Sequence, residues 1–294
     1  MAYRTDLAVE LLENLRGRDE FSGVSEREYE RESLHIHEAE VTTEQAARLL
    51  GKPCGRYLTL SLEALSRREE EAFPRSVRVL AALIETLLPP LDSAAPVLIA
   101  GLGSRSITPD AVGPRSADHV IATRHLISRS PEFFASWRPV SVLAPGVLGQ
   151  TGVETGEIVR GVLDHVRPRA VIAIDALAAG RLSRLVRTVQ LADTGIVPGS
   201  GVNNARAALD RQTLGVPVLS IGVPTVADGG SLAHEIAQQL DGAQCEALDD
   251  LSQPFIITTR DIDREVADTA RLIGYAVNMA LQHISVEEID LYLS

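Results

Sequence analysis

Four short runs of almost pure aliphatic residues set the frame for this chain: 97–102 (VLIAGL), 140–144 (VSVLA), 170–174 (AVIAI) and 216–223 (VPVLSIGV). Strands with apolar side chains on both faces must be covered on both faces, the situation of a parallel sheet between helices. Stretches with helical spacing fall between and after them, at 116–127, 156–166, 231–240 and 261–281. In the last, Ile262, Val266, Ala270, Ile273 and Val277 recur at three or four residues and define one apolar face. A further strand is expected at 254–258 (PFIIT). Short apolar runs alternating with helical segments predict an α/β domain.

Residues 1–92 read differently. A helix is expected over about 6–15, then a charged stretch and a strand pair at 34–41 and 56–62. Between the strands lies a short helix, 43–50, that Thr42 could cap. A longer helix from about 69 to 88 ends at Pro89-Pro90, and 92–96 reads as a linker. The expected organisation is a short N-terminal segment, a subdomain over 7–92 packed on the core as added sheet edge, and an α/β core over 93–294.

The charge balance is 28 Lys and Arg against 40 Asp and Glu, a net −12. Grip on a nucleic-acid backbone needs a basic surface, so direct nucleic-acid binding is not expected. Lys52 is the only lysine; this Arg bias fits base composition, and thermal tolerance is the weaker alternative. Cys54 and Cys245 stand far apart without CxxC partners, as in a reducing compartment. No apolar signal segment opens the chain, and no run reaches the roughly 18 apolar residues of a membrane helix. The expected location is the cytoplasm, with no membrane contact.

In open α/β sheets, ligands bind beyond the carboxyl ends of the strands. Two segments there carry acids. The loop Gly101-Leu-Gly-Ser-Arg-Ser-Ile-Thr-Pro-Asp110 follows the first aliphatic strand, and Ile174-Asp175-Ala176 ends the third. Two carboxyl groups facing each other have their pKa values pushed apart, so that one keeps a proton while the other is ionised. Such a pair can take a proton from water and donate one to a leaving amine. Each acid also has a plain structural reading: Asp110 as turn initiator or helix cap, Asp175 as cap of whatever follows its strand.

Other motifs fail on their context. Gly101-x-Gly103 lacks the third glycine of a dinucleotide turn, which is Ser106 here. Asp193-Thr194-Gly195 copies the tripeptide of all-β aspartic proteases, but this chain is α/β, so Asp193 reads as a loop residue that could line the cleft. Ser200, between two glycines, does not match a nucleophile elbow. His35 and His37 share a strand face without a third ligand nearby, and His119 and His125 are spaced poorly for one metal. No metal and no cofactor are expected.

Taken together and in order, longer motifs resemble the germination protease family of spore-forming bacteria. They include Arg4-Thr-Asp-Leu-Ala-Val-Glu10, Gly55-Arg-Tyr-Leu-Thr-Leu60 and Gly101-Leu-Gly103 through Thr108-Pro-Asp-Ala-Val-Gly-Pro114. Further along come Ile172-Ala-Ile-Asp-Ala-Leu-Ala178, Asp193-Thr-Gly-Ile196, Pro198-Gly-Ser-Gly-Val202 and Ile221-Gly-Val-Pro-Thr-Val226.

The resemblance implies a three-layer sandwich around a mostly parallel or mixed sheet, like that of hydrogenase maturation proteases and phosphorylase/hydrolase-like folds. It implies an endopeptidase, made as an inactive precursor, that degrades small acid-soluble DNA-protecting spore proteins at germination. It points to Asp110 and Asp175 as the catalytic pair; Gly103, Asp193 and Ser200 are further residues that could line the cleft. It puts propeptide cleavage between Asp6 and Leu7, leaving residues 1–6 as the propeptide, and implies a homotetramer. Two alternatives stay open: a metal-dependent maturation-type peptidase completed by His125 or another histidine, and a non-catalytic binder of spore proteins. The connection over 227–254 is shorter than the insertion some relatives carry there.

Overall fold

A computed structural model describes residues 5–15, 22–202, 206–230, 232 and 255–294. The helix expected at 231–240 and Cys245 lie outside the described residues. The strands are β1 (Val24–Arg31), β2 (Leu34–Val41), β3 (Gly55–Ser61), β4 (Val97–Gly101), β5 (Val140–Leu143), β6 (Ala170–Ala179), β7 (Thr188–Ala192), β8 (Val218–Asp228) and β9 (Ile256–Ile257). They form one mixed sheet in the order β1-β2-β3-β7-β8-β6-β4-β5, with β9 pairing β8. The run β5-β4-β6-β8 is parallel. The other ladders are antiparallel, so β3 and β7 join the N-terminal hairpins to the parallel run without a break.

Alternation along the strands explains the layers. Ile99, Ile172, Ile174, Ile221, Leu191 and Leu58 point to one side, where Leu80 and Ile84 of helix Ala72–Leu87 and Ile273 and Val277 of helix Ile262–Gln282 cover them. Leu98, Val171 and Ala173 point to the other, against Val159 and Leu163 of helix Thr155–Val166. On that second side, Tyr57 and Ala192 meet Ala8 and Leu12 of helix Ala8–Leu15 and Ala46 of helix Glu44–Leu50. Helices therefore cover both faces of a mixed sheet. Each fully buried Leu or Ile contributes about 1.5–3 kcal/mol, and the central strands β4, β6 and β8 are buried along nearly their whole length.

Several expectations shift. The cap of helix Glu44–Leu50 is Thr43, whose hydroxyl accepts the Ala46 N–H at 3.2 Å. The Thr42 hydroxyl is turned away and donates to the Gly23 carbonyl at 2.9 Å. The helix expected over 116–127 is two helices, Val112–Asp118 and Arg124–Arg129. Tertiary bonds hold the gap: Asn278 grips the Ile121 N–H and the His119 carbonyl, and the Thr123 N–H donates to Val140. Strand β1 arises from the charged stretch, and strand β6 runs five residues beyond its aliphatic start.

Candidate active site

The connections of the parallel run determine where a crevice forms. From β4 the chain crosses to β5 on one side, and from β6 it proceeds to β8 on the other. The loops after β4 and β6 thus diverge, leaving a gap at the carboxyl ends of these two neighbours, the usual ligand position of open α/β sheets. Strand β4 stops at Gly101, opposite Ile174. Asp175 is the next residue of β6, the first to lose β4 as a neighbour. It is not at the end of its strand, because β8 accompanies β6 as far as Ala179.

Asp110 reaches the same gap from the other side. The loop after β4 turns at Gly103 (φ +106°) and closes with a 3₁₀ turn, Thr108–Asp110. A Cβ at residue 103 would lie 2.1 Å from the Asp110 carbonyl oxygen, so the loop is shaped by a position only glycine can fill. The Ser104 N–H donates to Asp110 Oδ2 at 2.7 Å. Ser104 is itself fixed, its hydroxyl 2.8 Å from that of Ser106 and accepting from Gln150 Nε2 at 2.8 Å.

Both acids line one cavity of about 530 Å³, with Gly103, Ile107, Leu177, Gly201 and Arg206 among its other walls. Asp175 is 5% exposed. Burial, then the charge of Asp110, raise its carboxyl well above the usual carboxylate range; the Ala176 N–H at 2.9 Å opposes this and Asp6 adds to it. Burial also raises Asp110, less strongly, with the Ser104 N–H opposing. The pair therefore favours a state with the proton on Asp175 and the charge on Asp110, whose anion is the better solvated.

The N-terminal segment enters this site. Asp6 lines the same cavity, is 7% exposed, and Leu7 is fully buried. Strand β6 shifts register against β8 between Leu177 and Ala178, and Ala178 bonds instead with Asp6. The Asp6 N–H donates to the Ala178 carbonyl at 2.9 Å, and the Ala178 N–H donates to Asp6 Oδ2 at 2.8 Å. The Ser200 hydroxyl donates to Asp6 Oδ1 at 2.6 Å. On the sheet, Asp175, Gly222 and Gln190 lie in one row. Gln190 clamps the segment: its Nε2 donates to the Asp6 carbonyl at 3.1 Å and its Oε1 accepts the Ala8 N–H at 2.6 Å. Leu7 packs among Leu177, Ala179, Leu185 and Ala227.

Of the residues singled out in the sequence, Asp110, Asp175, Gly103 and Asp6 come together at one cavity, and Ser200 touches Asp6. Asp193 is not among the residues lining that cavity. It ties strand ends together instead, its Oδ1 accepting the Arg56 N–H at 2.9 Å. His125 is exposed on its helix. His37 pairs with Glu26 at 2.9 Å, and His35 lies 3.8 Å from Glu28. Among the described residues, no group of three or more His, Cys, Asp or Glu is arranged to hold a metal ion. Cys54 is exposed and its thiol faces Glu44.

Three contributors were not legible in the sequence. Gln190 sits in a strand too short to stand out. Glu10, fully buried, accepts the N–H groups of Gly180 and Arg181 at 2.7 and 3.0 Å, fixing the helix behind Asp6. Lys52 lines a second cavity beside Asp6 and Ser200. Its being the only lysine was the one available signal.

Among the described residues, no helix is long and apolar enough to cross a membrane. A structural comparison finds a NiFe hydrogenase maturation protease from Thermococcus kodakarensis, 16% identical, with a TM-score of 0.37 over 67% of this chain and 99% of the other. The sequence comparisons are far closer. A germination protease from Caldanaerobacter subterraneus subsp. tengcongensis is 39% identical, over 96% of this chain and 95% of its own length. One from Clostridium tetani is 35% identical over the whole of both chains. One from Bacillus subtilis is 43% identical over 79% of this chain and 65% of its own. The germination protease family model matches residues 5–240, a span that begins one residue before Asp6 and includes both cavity carboxylates. With relatives aligned end to end and a family model over most of its length, the chain belongs to the germination protease family, a family of peptidases.

Proposed function

We propose that this peptidase is an aspartate-dependent endopeptidase, made as a precursor that cuts itself between Asp6 and Leu7, and that it starts the degradation of small acid-soluble DNA-protecting spore proteins in the spore core. One observation carries the reading: Asp110 and Asp175 line a single cavity at the divergence of β4 and β6, close enough for the charge of one to raise the pKa of the other. In this reading the Asp110 carboxylate takes a proton from water. The attacking oxygen adds to the peptide carbonyl as Asp175 gives its proton to the developing oxyanion; Asp110 then passes the proton it took from water to the leaving amine, and Asp175 takes its proton back as the carbonyl re-forms. No metal or cofactor enters this scheme.

The arrangement of the N-terminal segment supports self-processing. Asp6 lines the catalytic cavity and its carbonyl is polarised by Gln190, as a tethered substrate would be. Since the 6–7 bond is buried in its own chain, the cut is expected to be intramolecular. Its first-order rate constant would then be the same across a wide range of protein concentration, and a rate rising in proportion to concentration would refute that route. An exposed aromatic patch, with Phe133 74% and Tyr292 52% exposed and Trp137 edge-to-face with both Phe134 and Tyr292, offers a surface for the expected homotetramer.

The direct test is incubation with a small acid-soluble spore protein, with the fragments read by mass spectrometry. Cleavage after an acidic residue by the wild-type chain, and none by Asp110→Asn or Asp175→Asn, is expected. Equal fragments from either variant would defeat the pairing.

A further inference from the structure

Asp110 stands on a loop whose most permissive joint lies beside its one anchor. Among the described residues, the Ser104 N–H is the single hydrogen-bond donor to the Asp110 carboxylate, meeting Oδ2 at 2.7 Å. Oδ1 is left for another partner, as a group that takes a proton from water requires. The anchoring N–H belongs to the peptide plane between Gly103 and Ser104. Gly103 has φ +106°, and the permissive backbone of a glycine leaves the plane that follows it free to turn. That plane has to be fixed from Ser104 onward.

Ser104 is fixed through its side chain. It is 1% exposed, and its hydroxyl lies 2.8 Å from Ser106 Oγ and accepts the Ser106 N–H at 3.3 Å. Both contacts stay within the loop. The bond that reaches outside it comes from Gln150, whose Nε2 donates to Ser104 Oγ at 2.8 Å and to Ser106 Oγ at 3.1 Å. Gln150 sits on the short helix Leu148–Thr151 after β5, between Gly146 (φ +76°) and Gly152 (φ +71°). Val147, Leu148 and Gly149 of that segment line the cavity of Asp110 and Asp175, while Gln150 itself is exposed. One amide thus joins a wall of the cavity to the loop that carries Asp110.

We infer that Gln150 is a positioning residue: acting through Ser104, it fixes the peptide plane whose N–H holds the Asp110 carboxylate, and it couples that plane to the cavity wall at 147–149. The inference rests on the proposed peptidase reading for its catalytic use, while the effect on Asp110 stands apart from it. A hydrogen bond to the ionised form favours that form. With the clamp gone the bond weakens, so Asp110 takes up its proton at a higher pH. The other charged groups around it stay in place. Asp175 of β6, Asp6 of the N-terminal segment, Glu154 and Arg206 line the same cavity. Asp263 accepts from the Thr108 hydroxyl at 2.7 Å, and Arg115 donates to the Asp263 carbonyl. Arg105 of the same loop is engaged by Asp118 at 2.8 Å.

Two measurements on the full-length chain test this and separate it from the peptidase reading. The first is the pH profile of cleavage at Asp6–Leu7 in Gln150→Leu, Ser104→Ala and the double variant. Each single change should move the acid limb to higher pH, slowing cleavage on that limb by about three- to tenfold, with a smaller loss at the top of the bell and an unmoved alkaline limb. The double variant should move no further than the larger single, because the two residues form one chain of bonds. Equal slowing at every pH, or shifts that add, would overturn the positioning role. Gln150 is exposed, so Gln150→Leu is expected to unfold at the wild-type temperature; should Ser104→Ala fail to fold, Ser106→Ala takes its place. The second is the titration of the Asp110 carboxyl carbon by NMR, identified by its loss in Asp110→Asn. Its lower apparent pKa should rise in Gln150→Leu. That rise in a chain that cuts nothing keeps the positioning role for the carboxylate and rejects the peptidase. Wild-type cleavage with neither the acid limb nor the titration moved by Gln150→Leu keeps the peptidase and overturns the inference.

Discussion

The two halves of β6 make a sharp contrast. From Ala170 to Ile174 the strand lies between β4 and β8, every side chain is aliphatic, and none is exposed. From Asp175 to Ala179 only β8 keeps it company on the sheet; the strand shifts register, carries an acid, and binds the N-terminal segment. A strand with both neighbours has its backbone groups committed and contributes packing. One residue after losing a neighbour, the same strand has polar groups and space to offer, while the packed half keeps them rigid. Precision at the candidate site is inherited from the half that only packs.

The largest effect that could break this contrast lies at the acids. Asp110→Asn or Asp175→Asn should slow cleavage at Asp6–Leu7 by about 10²–10⁴-fold, followed by intact mass; a rate near wild type in either would dissolve the functional half. Next comes packing. Ile172→Ala, between two neighbours, should cost about 2–5 kcal/mol in denaturant unfolding. Leu177→Ala, facing the cavity, should cost only about 1–2 kcal/mol, and equal costs would mean the halves are packed alike.

The pH dependence sharpens the picture. The proposed mechanism needs Asp110 ionised and Asp175 protonated, so the rate should be bell-shaped. The acid limb follows Asp110, and the alkaline limb falls as pH rises through the raised value of Asp175, well above the ordinary carboxylate value of about 4. A rate flat from pH 5 to about pH 8 would contradict it.

The smallest expected effect is on stability. Because the folded-state value of Asp175 is raised, its contribution to stability is fully present below the unfolded value and is lost as pH rises through the folded one. Asp175→Asn should therefore unfold at a slightly higher temperature than wild type at alkaline pH, with the gap closing on acidification. A variant less stable at high pH would show that the carboxylate is better compensated than its surroundings indicate.

How much of this was written in the sequence follows the same division. Strands β4, β5, β6 and β8 were legible because burial on both faces demands unbroken aliphatic runs. Strand β1, VSEREYER, was not, since an exposed edge strand can be built from charged residues and is held by pairs such as Arg27 with Glu38 at 2.6 Å. The position of Asp175 was read correctly as the edge of a crevice, but as a strand end. What ends there is β4, and pairing extent is a property of the neighbour. Asp110 and Asp175 were visible as acids after aliphatic runs. The roles of Gln190 and Glu10 depend on residues 170 to 184 positions away, and that of Lys52 on side chains across a cavity, and no local pattern encodes such meetings. Asp193, prominent as a motif, proved to be a tie between β3 and β7.

One asymmetry around the sixth peptide bond carries a consequence for timing. Leu7 and the helix after it are embedded among aliphatic neighbours and clamped by Gln190 and Glu10, whereas Asp6 is held chiefly through its own polar atoms. Cleavage of that bond, as proposed, would free the less anchored side and leave the other in place, so that the two ends would no longer meet and rejoining would be foreclosed. Under the proposed self-processing, each molecule would pass the step once and in one direction, a latch that records the event with no further energy spent to keep it.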